Sequence, residues 1–223
     1  MSEHPSPNFG EDMLRIHKVI SRGLTVASEK SLSVAQQGFH AEEEWEGFLN
    51  YVRTLATVIH AHHLLEDEIA FPQAKPRIPQ APYDLLQTQH QALIPILDEL
   101  GATIQESAAL PQAREPLLAM NEVLQKVSDI WYPHIRIEEE HFTVAKVAEL
   151  YSLDERARIS MMFAEHSKEH ATPDYLAVPF VLFNLPPAER AAFSQMLPTI
   201  LTQQLVPVAW KEKWEPMKPF LLE

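Results

Sequence analysis

Cysteine is absent from the 223 residues, which excludes disulfides, thiolate metal sites and cysteine nucleophiles together. Any transition metal must be held by nitrogen and oxygen donors. Glycine is scarce, at five residues, too few for tight hairpins or phosphate-cradling loops. No GxGxxG, Walker-type or GxSxG pattern occurs. Positive charge is also short: 18 Lys and Arg, with no basic run, stand against 31 Asp and Glu, for a formal net charge of −13. That balance argues against nucleic acid and anionic membranes as partners. No uninterrupted apolar run of about 18 residues marks a membrane span. Residues 1–12 lack the basic-then-apolar pattern of a secretory signal, so the expected location is the cytoplasm.

The chain does have a large apolar fraction, 46%, and eleven histidines. Residues 1–10 contain Pro5, Pro7 and Gly10 and read as a loose lead-in. A first helix is predicted from Asp12, with a turn between Glu29 and His40 where Ser31, Ser33 and Gly38 interrupt the pattern. A second, over about 41–70, carries Trp45, Phe48, Leu49, Val52, Leu55, Ile59, His62, Glu66 and Ile69 at three- and four-residue steps. Pro72, Pro76, Pro79 and Pro82 then break the chain. A third helix over about 83–107 contains Pro95, and a fourth over about 114–150 contains Pro133. Shorter helices are expected over 153–170 and 188–204, with an apolar stretch at 178–185 capping the bundle mouth and a tail rich in Trp and Pro. The predicted fold is all-α: an up-down antiparallel four-helix bundle over 11–151. A C-terminal helical, proline-rich appendage over 152–223 would pack on the bundle or on a second subunit.

Two stretches carry the chemistry. His62 is followed four residues later by Glu66, and His134 by Glu138. Residues i and i+4 share a helix face one turn apart, so each pair can grip a metal, and finding the unit twice points to two ions. His17, His62, His90 and His134 stand one per predicted helix. The midpoints between successive members fall beside Gly38, at Pro76 and beside Pro111, so the four histidines sit at about one height in an up-down bundle. Four imidazoles and two carboxylates suit iron, manganese or zinc, with iron favoured where positions stay open for O2 chemistry.

One histidine per helix, His-x-x-x-Glu on the second and fourth, and Phe71-Pro72 closing the second resemble the hemerythrin-like HHE cation-binding family over about residues 11–150. The resemblance implies two non-haem irons, with His17, His62, His90 and His134 as terminal ligands and Glu66 and Glu138 as bridges. The oxygen-carrying members have a further histidine four residues after the one on helix three, where this chain has Ile94. The iron on that side is therefore expected to lack a ligand or to take water or another side chain. That favours a reactive or sensing site over reversible oxygen carriage.

His63 with Asp67 is a competing pair at the same spacing, ranked below His62 with Glu66 because only the latter repeats the form found on helix four. Asp67, Glu68, Glu139 and Glu140 read as solvated faces or as groups that orient imidazoles. His141 reads as lining the entrance or as structural, and His60, His166 and His170 as structural or exposed. The expected function is binding of, and reaction with, O2, NO or peroxide. Its rivals are an O2-dependent oxidase or oxygenase acting on a small organic substrate, and a metal-free helical interaction module sensitive to pH.

Overall fold

The computed structural model describes residues 7–39, 41–111 and 113–223, and among them there are helices and no strands. Four long helices form the frame: α1 (Phe9–Gln37), α2 (Glu42–Leu65), α4 (Tyr83–Ala109) and α5 (Arg114–His141). A π-turn, Glu66–Ala70, and a short α3, Phe71–Ala74, continue α2 without a break. Helix α1 packs on α2 and α5, and α4 packs on α2 and α5, which closes an up-down ring of four. The all-α bundle expected from the sequence is the observed one. No described helix is long and apolar enough to cross a membrane.

Several boundaries differ from expectation. Part of the lead-in, residues 1–6, and His40 lie outside the described residues. Helix α1 starts earlier than Asp12, because Asn8 caps it by accepting the Gly10 amide, and Phe9 and Gly10 are buried. It also runs through Ser31 and Ser33 to Gln37. Ser31 turns its hydroxyl back onto the Ser28 carbonyl and accepts from Asn121, so a residue that favours turns is absorbed into the packing. The helix ends at Gly38, whose φ of +74° suits a residue without Cβ. Pro72 does not end the second helix: it stands at the start of α3, directly after the π-turn, and the helical backbone runs on through it to Ala74.

The expected fourth helix is two. Helix α5 stops at His141, and Thr143 caps a separate α6 (Val144–Leu150) by accepting the Lys146 amide. The C-terminal part comprises α7 (Leu153–His170), α8 (Asp174–Phe183) and α9 (Pro187–Ser194). A second π-segment (Leu201–Ala209), α10 (Lys211–Trp214) and a 3-10 turn (Glu215–Phe220) follow. A helix over 188–204 does not form as one piece, since α9 ends at Ser194. The stretch at 178–185 packs on α2, with Phe180 beside Tyr51 and close to Gly23. The 3-10 turn also lies on α2, so near that a Cβ at Gly47 would overlap the Pro216 carbonyl. Asn184 accepts from Tyr51 at 2.8 Å and from Arg22, which also donates to the Phe220 carbonyl at 2.9 Å, fastening this region to α1 and α2.

Two apolar clusters fill the interior. The larger includes Ile20, Leu24, Leu55, Ile59, Leu93 and Trp131 and is completed by Phe180, Met217 and Phe220. The smaller includes Phe9, Met13, Leu65, Phe71, Leu86 and Phe142. Each long helix crosses from one cluster to the other at a histidine: Met13–His17–Ile20, Ile59–His62–Leu65 and Leu86–His90–Leu93, with His134 following Trp131. A buried polar layer is thereby set between two dry ones.

Candidate metal centre

The layer is built by helical spacing and by one irregularity. Glu66 lies four residues after His62 and three after His63, so both imidazoles can reach its face. The π-turn begins at this point. The Glu66 amide is shared between the carbonyls of His62 and His63, and the Phe71 amide returns to the Glu66 carbonyl. Such one-turn widenings of a helix concentrate at functional sites. On α5, His134 and Glu138 repeat the four-residue step, and Pro133 stays inside an unbroken helix.

Two sets of donors result, in each of which the ligand atoms lie within 4.8 Å of one another: His17, His62, Glu66 and Glu138, and His63, Glu66, His90 and His134. All are buried. Each carboxylate spans the two halves. Glu66 turns Oε1 to His62 Nε2 at 3.2 Å and Oε2 to His90 Nε2 at 3.4 Å. Glu138 turns Oε2 to His17 Nε2 at 3.2 Å and Oε1 to His134 Nε2 at 3.4 Å. The ring nitrogens of His90 and His134 face each other at 3.1 Å. Outer partners hold two of the rings, Glu139 on His17 Nδ1 at 3.1 Å and Gln89 on His134 Nδ1 at 3.0 Å, while Asp67 lies 3.0 Å from His90 Nδ1 without making a hydrogen bond. Trp131 packs against His17, His62 and His63, and Phe71 stacks on His90.

Burial and charge oppose each other here. Burial pushes the Glu66 carboxyl up, and Glu138 adds to this, but His62, His134 and His90 outweigh both and hold it below its usual range. Burial likewise raises Glu138, and His134 and His17 bring it well below. Burial lowers His62 to about 4 and takes His63 well below 6.5, which keeps both imidazoles neutral. It lowers His17 and His134 too, yet the carboxylates override it, Glu138 and Glu139 taking His17 to about 9, and Glu138 and Glu66 taking His134 to about 10. Two carboxylates and five imidazoles thus share one dry layer.

Hydrogen bonding does not account for that layer. Both oxygens of Glu66, both oxygens of Glu138 and the Nε2 atoms of His17, His62 and His63 are buried without a hydrogen-bond partner, despite their short separations. Buried polar groups are rarely left so, and an orphaned carboxylate costs several kcal/mol, on the order of a buried ion. Two cations would satisfy every one of these atoms, and imidazole with carboxylate is a fitting donor set for a divalent transition metal. The residues present fit the group.

A family model, the hemerythrin HHE cation-binding domain, matches residues 9–145. The chain belongs to this family. It is a metal-binding protein with buried His/Glu clusters. No curated protein and no solved structure matches it.

Within this hemerythrin HHE domain the structure gathers His17, His62, Glu66, His90, His134 and Glu138, and it adds His63. The competing pair of His63 with Asp67, ranked below His62 with Glu66, does not form. Asp67 turns to His90, and the His63 ring stacks on His90 with centroids 4.4 Å apart. Ile94 is exposed, so a side chain there faces away from the layer, and His63 provides the imidazole that helix three does not. Of the alternatives expected on the His90 side, another side chain in the donor set is the one found, and the side with fewer imidazoles is that of His17 and His62. The signal for His63 was its three-residue step to Glu66. His141 binds the Ile137 carbonyl at 2.8 Å and joins neither donor set, and His60 is exposed. His63→Ala is expected to lower the metal content from about two ions per chain to about one, with loss from the His90–His134 half. His60→Ala serves as the control and should leave the content unchanged.

Proposed function

We propose that this chain is a non-haem di-iron protein that binds and reacts with O2, NO or peroxide. The observation that carries the reading is the unequal imidazole count of the two halves, with His63, His90 and His134 on one side and only His17 and His62 on the other, while Glu66 and Glu138 each reach toward both. The side with fewer imidazoles would leave more coordination positions for water or a small molecule. When bound, two ferrous ions would supply together the two electrons of a two-electron reduction of O2.

The chain's own residues do the rest. Glu66 and Glu138 would hold the ions near each other, and Glu139 and Gln89 orient the His17 and His134 imidazoles. Trp131 and Phe71 exclude bulk water, and burial of every donor favours a diatomic ligand over a bulky one. The same donors accept manganese or zinc, but redox chemistry favours iron. The organic-substrate alternative gains little from the cavity of about 310 Å³ among the C-terminal helices. Leu182, Phe183, Val206 and Trp214 line it, and it contains none of the donors. The orphaned carboxylates weigh against a metal-free module. We take residues 11–151 as the metal-binding unit and 152–223 as its appendage. The net charge of −13 supports a protein that binds neither nucleic acid nor an anionic membrane.

Anaerobic Fe(II)-loaded protein mixed with O2 or NO tests this reading. A new near-ultraviolet or visible band is expected, weakened strongly by His17→Ala. No spectral change with O2, NO or peroxide would overturn it.

A further inference from the structure

A third set of metal-type side chains lies outside the buried layer. Glu68 stands on the π-turn, and His166 and His170 occupy successive turns of α7, which packs against that turn. One ligand atom from each lies within 4.8 Å of the others. His166 Nε2 is 3.2 Å from Glu68 Oε2, and the two imidazole rings are 4.2 Å apart. The His166 side chain is only 7% exposed, and its Nδ1 is buried without a hydrogen-bond partner. Glu68 is half exposed, so water can complete a coordination shell from outside.

We propose that Glu68, His166 and His170 form a separate site for one divalent transition-metal ion of the zinc or ferrous class. Histidines at i and i+4 present two nitrogens on one helix face, and two nitrogens with one carboxylate oxygen are a fitting set for such ions. The site lies at the last turn of α7, where unpaired carbonyls favour positive charge. Bound there, the ion ties the C-terminal region to the turn that carries Glu66. A hydrogen bond between Glu68 and His166 would fasten α7 in a similar way, but it would not require His170.

The site is tested on the full chain with its buried centre loaded with iron, titrated with Co(II) while iron content and the cobalt d–d bands are followed. One further equivalent is expected, with iron retained. His170→Ala, at a partly exposed helix end, should weaken it about tenfold or more, and His166→Gln should do the same. No cobalt uptake by the loaded protein, or unchanged affinity in both variants, would overturn the proposal. Glu66→Gln separates this site from the buried one: it should keep the cobalt equivalent even where the buried centre no longer loads.

Discussion

Replacing Glu66 with glutamine is expected to empty both halves of the buried centre. Glu66 is the one residue common to both donor sets, with Oε1 toward His62 and Oε2 toward His90. An amide offers a single neutral oxygen, so the substitution would remove a charged donor from each ion and one of the two carboxylates that span the halves. Changes to groups that merely orient a ligand already weaken metal sites about 10–100-fold, and loss of a bridging ligand should exceed that. Metal content should fall from about two ions per chain to well below one. Glu68→Gln, two residues on and half exposed, should leave those two ions in place. If Glu66→Gln held metal as the natural chain does, the bridging role would be wrong. Circular dichroism of the variant must stay helical for the result to bear on binding, and the isosteric change favours that.

The second large effect concerns stability. Removing the ions leaves two carboxylates and three Nε2 atoms buried without hydrogen-bond partners between two apolar clusters. A ligand present at a thousand times its Kd stabilises the folded state by about 4 kcal/mol. For a chain of this length each kcal/mol moves Tm by about 2–4 °C. Chelation followed by desalting is therefore expected to lower Tm by about 8–16 °C, with recovery on adding Fe(II) under nitrogen. An unchanged Tm, with metal loss verified, would mean that the layer is satisfied in some other way.

Much of this arrangement was legible because helical spacing is rigid. The pairs His62–Glu66 and His134–Glu138 mark the inward faces of α2 and α5. The spacing of breakers sets His17, His62, His90 and His134 at one level, where each helix crosses between the two apolar clusters. His63 was harder to read. On an ideal helix it points about 100° away from His62, and Asp67 offered it a plausible partner at the favoured spacing. The π-turn from Glu66 to Ala70, a backbone feature with no plain residue signature, accompanies the placement of both imidazoles on one carboxylate.

The break between α5 and α6 was hidden by a continuing helical pattern, although Thr143 before Val144 was a usable capping signal. The tail depended on contacts distant in sequence. Gly47 makes room for Pro216, and Arg22 reaches both Asn184 and the Phe220 carbonyl, so local propensity had little to say about it. The approach of Glu68 to His166 and His170 is of the same long-range kind.

The central claim is that this layer holds two ions, and the metal content per chain tests it most directly. The protein would be purified without chelators, desalted, and then reconstituted with Fe(II) under nitrogen. About two tightly held irons per chain are expected, with any ion at the Glu68 site appearing as a further, separately removable equivalent. Less than about a tenth of an ion per chain, before and after reconstitution, would contradict the account.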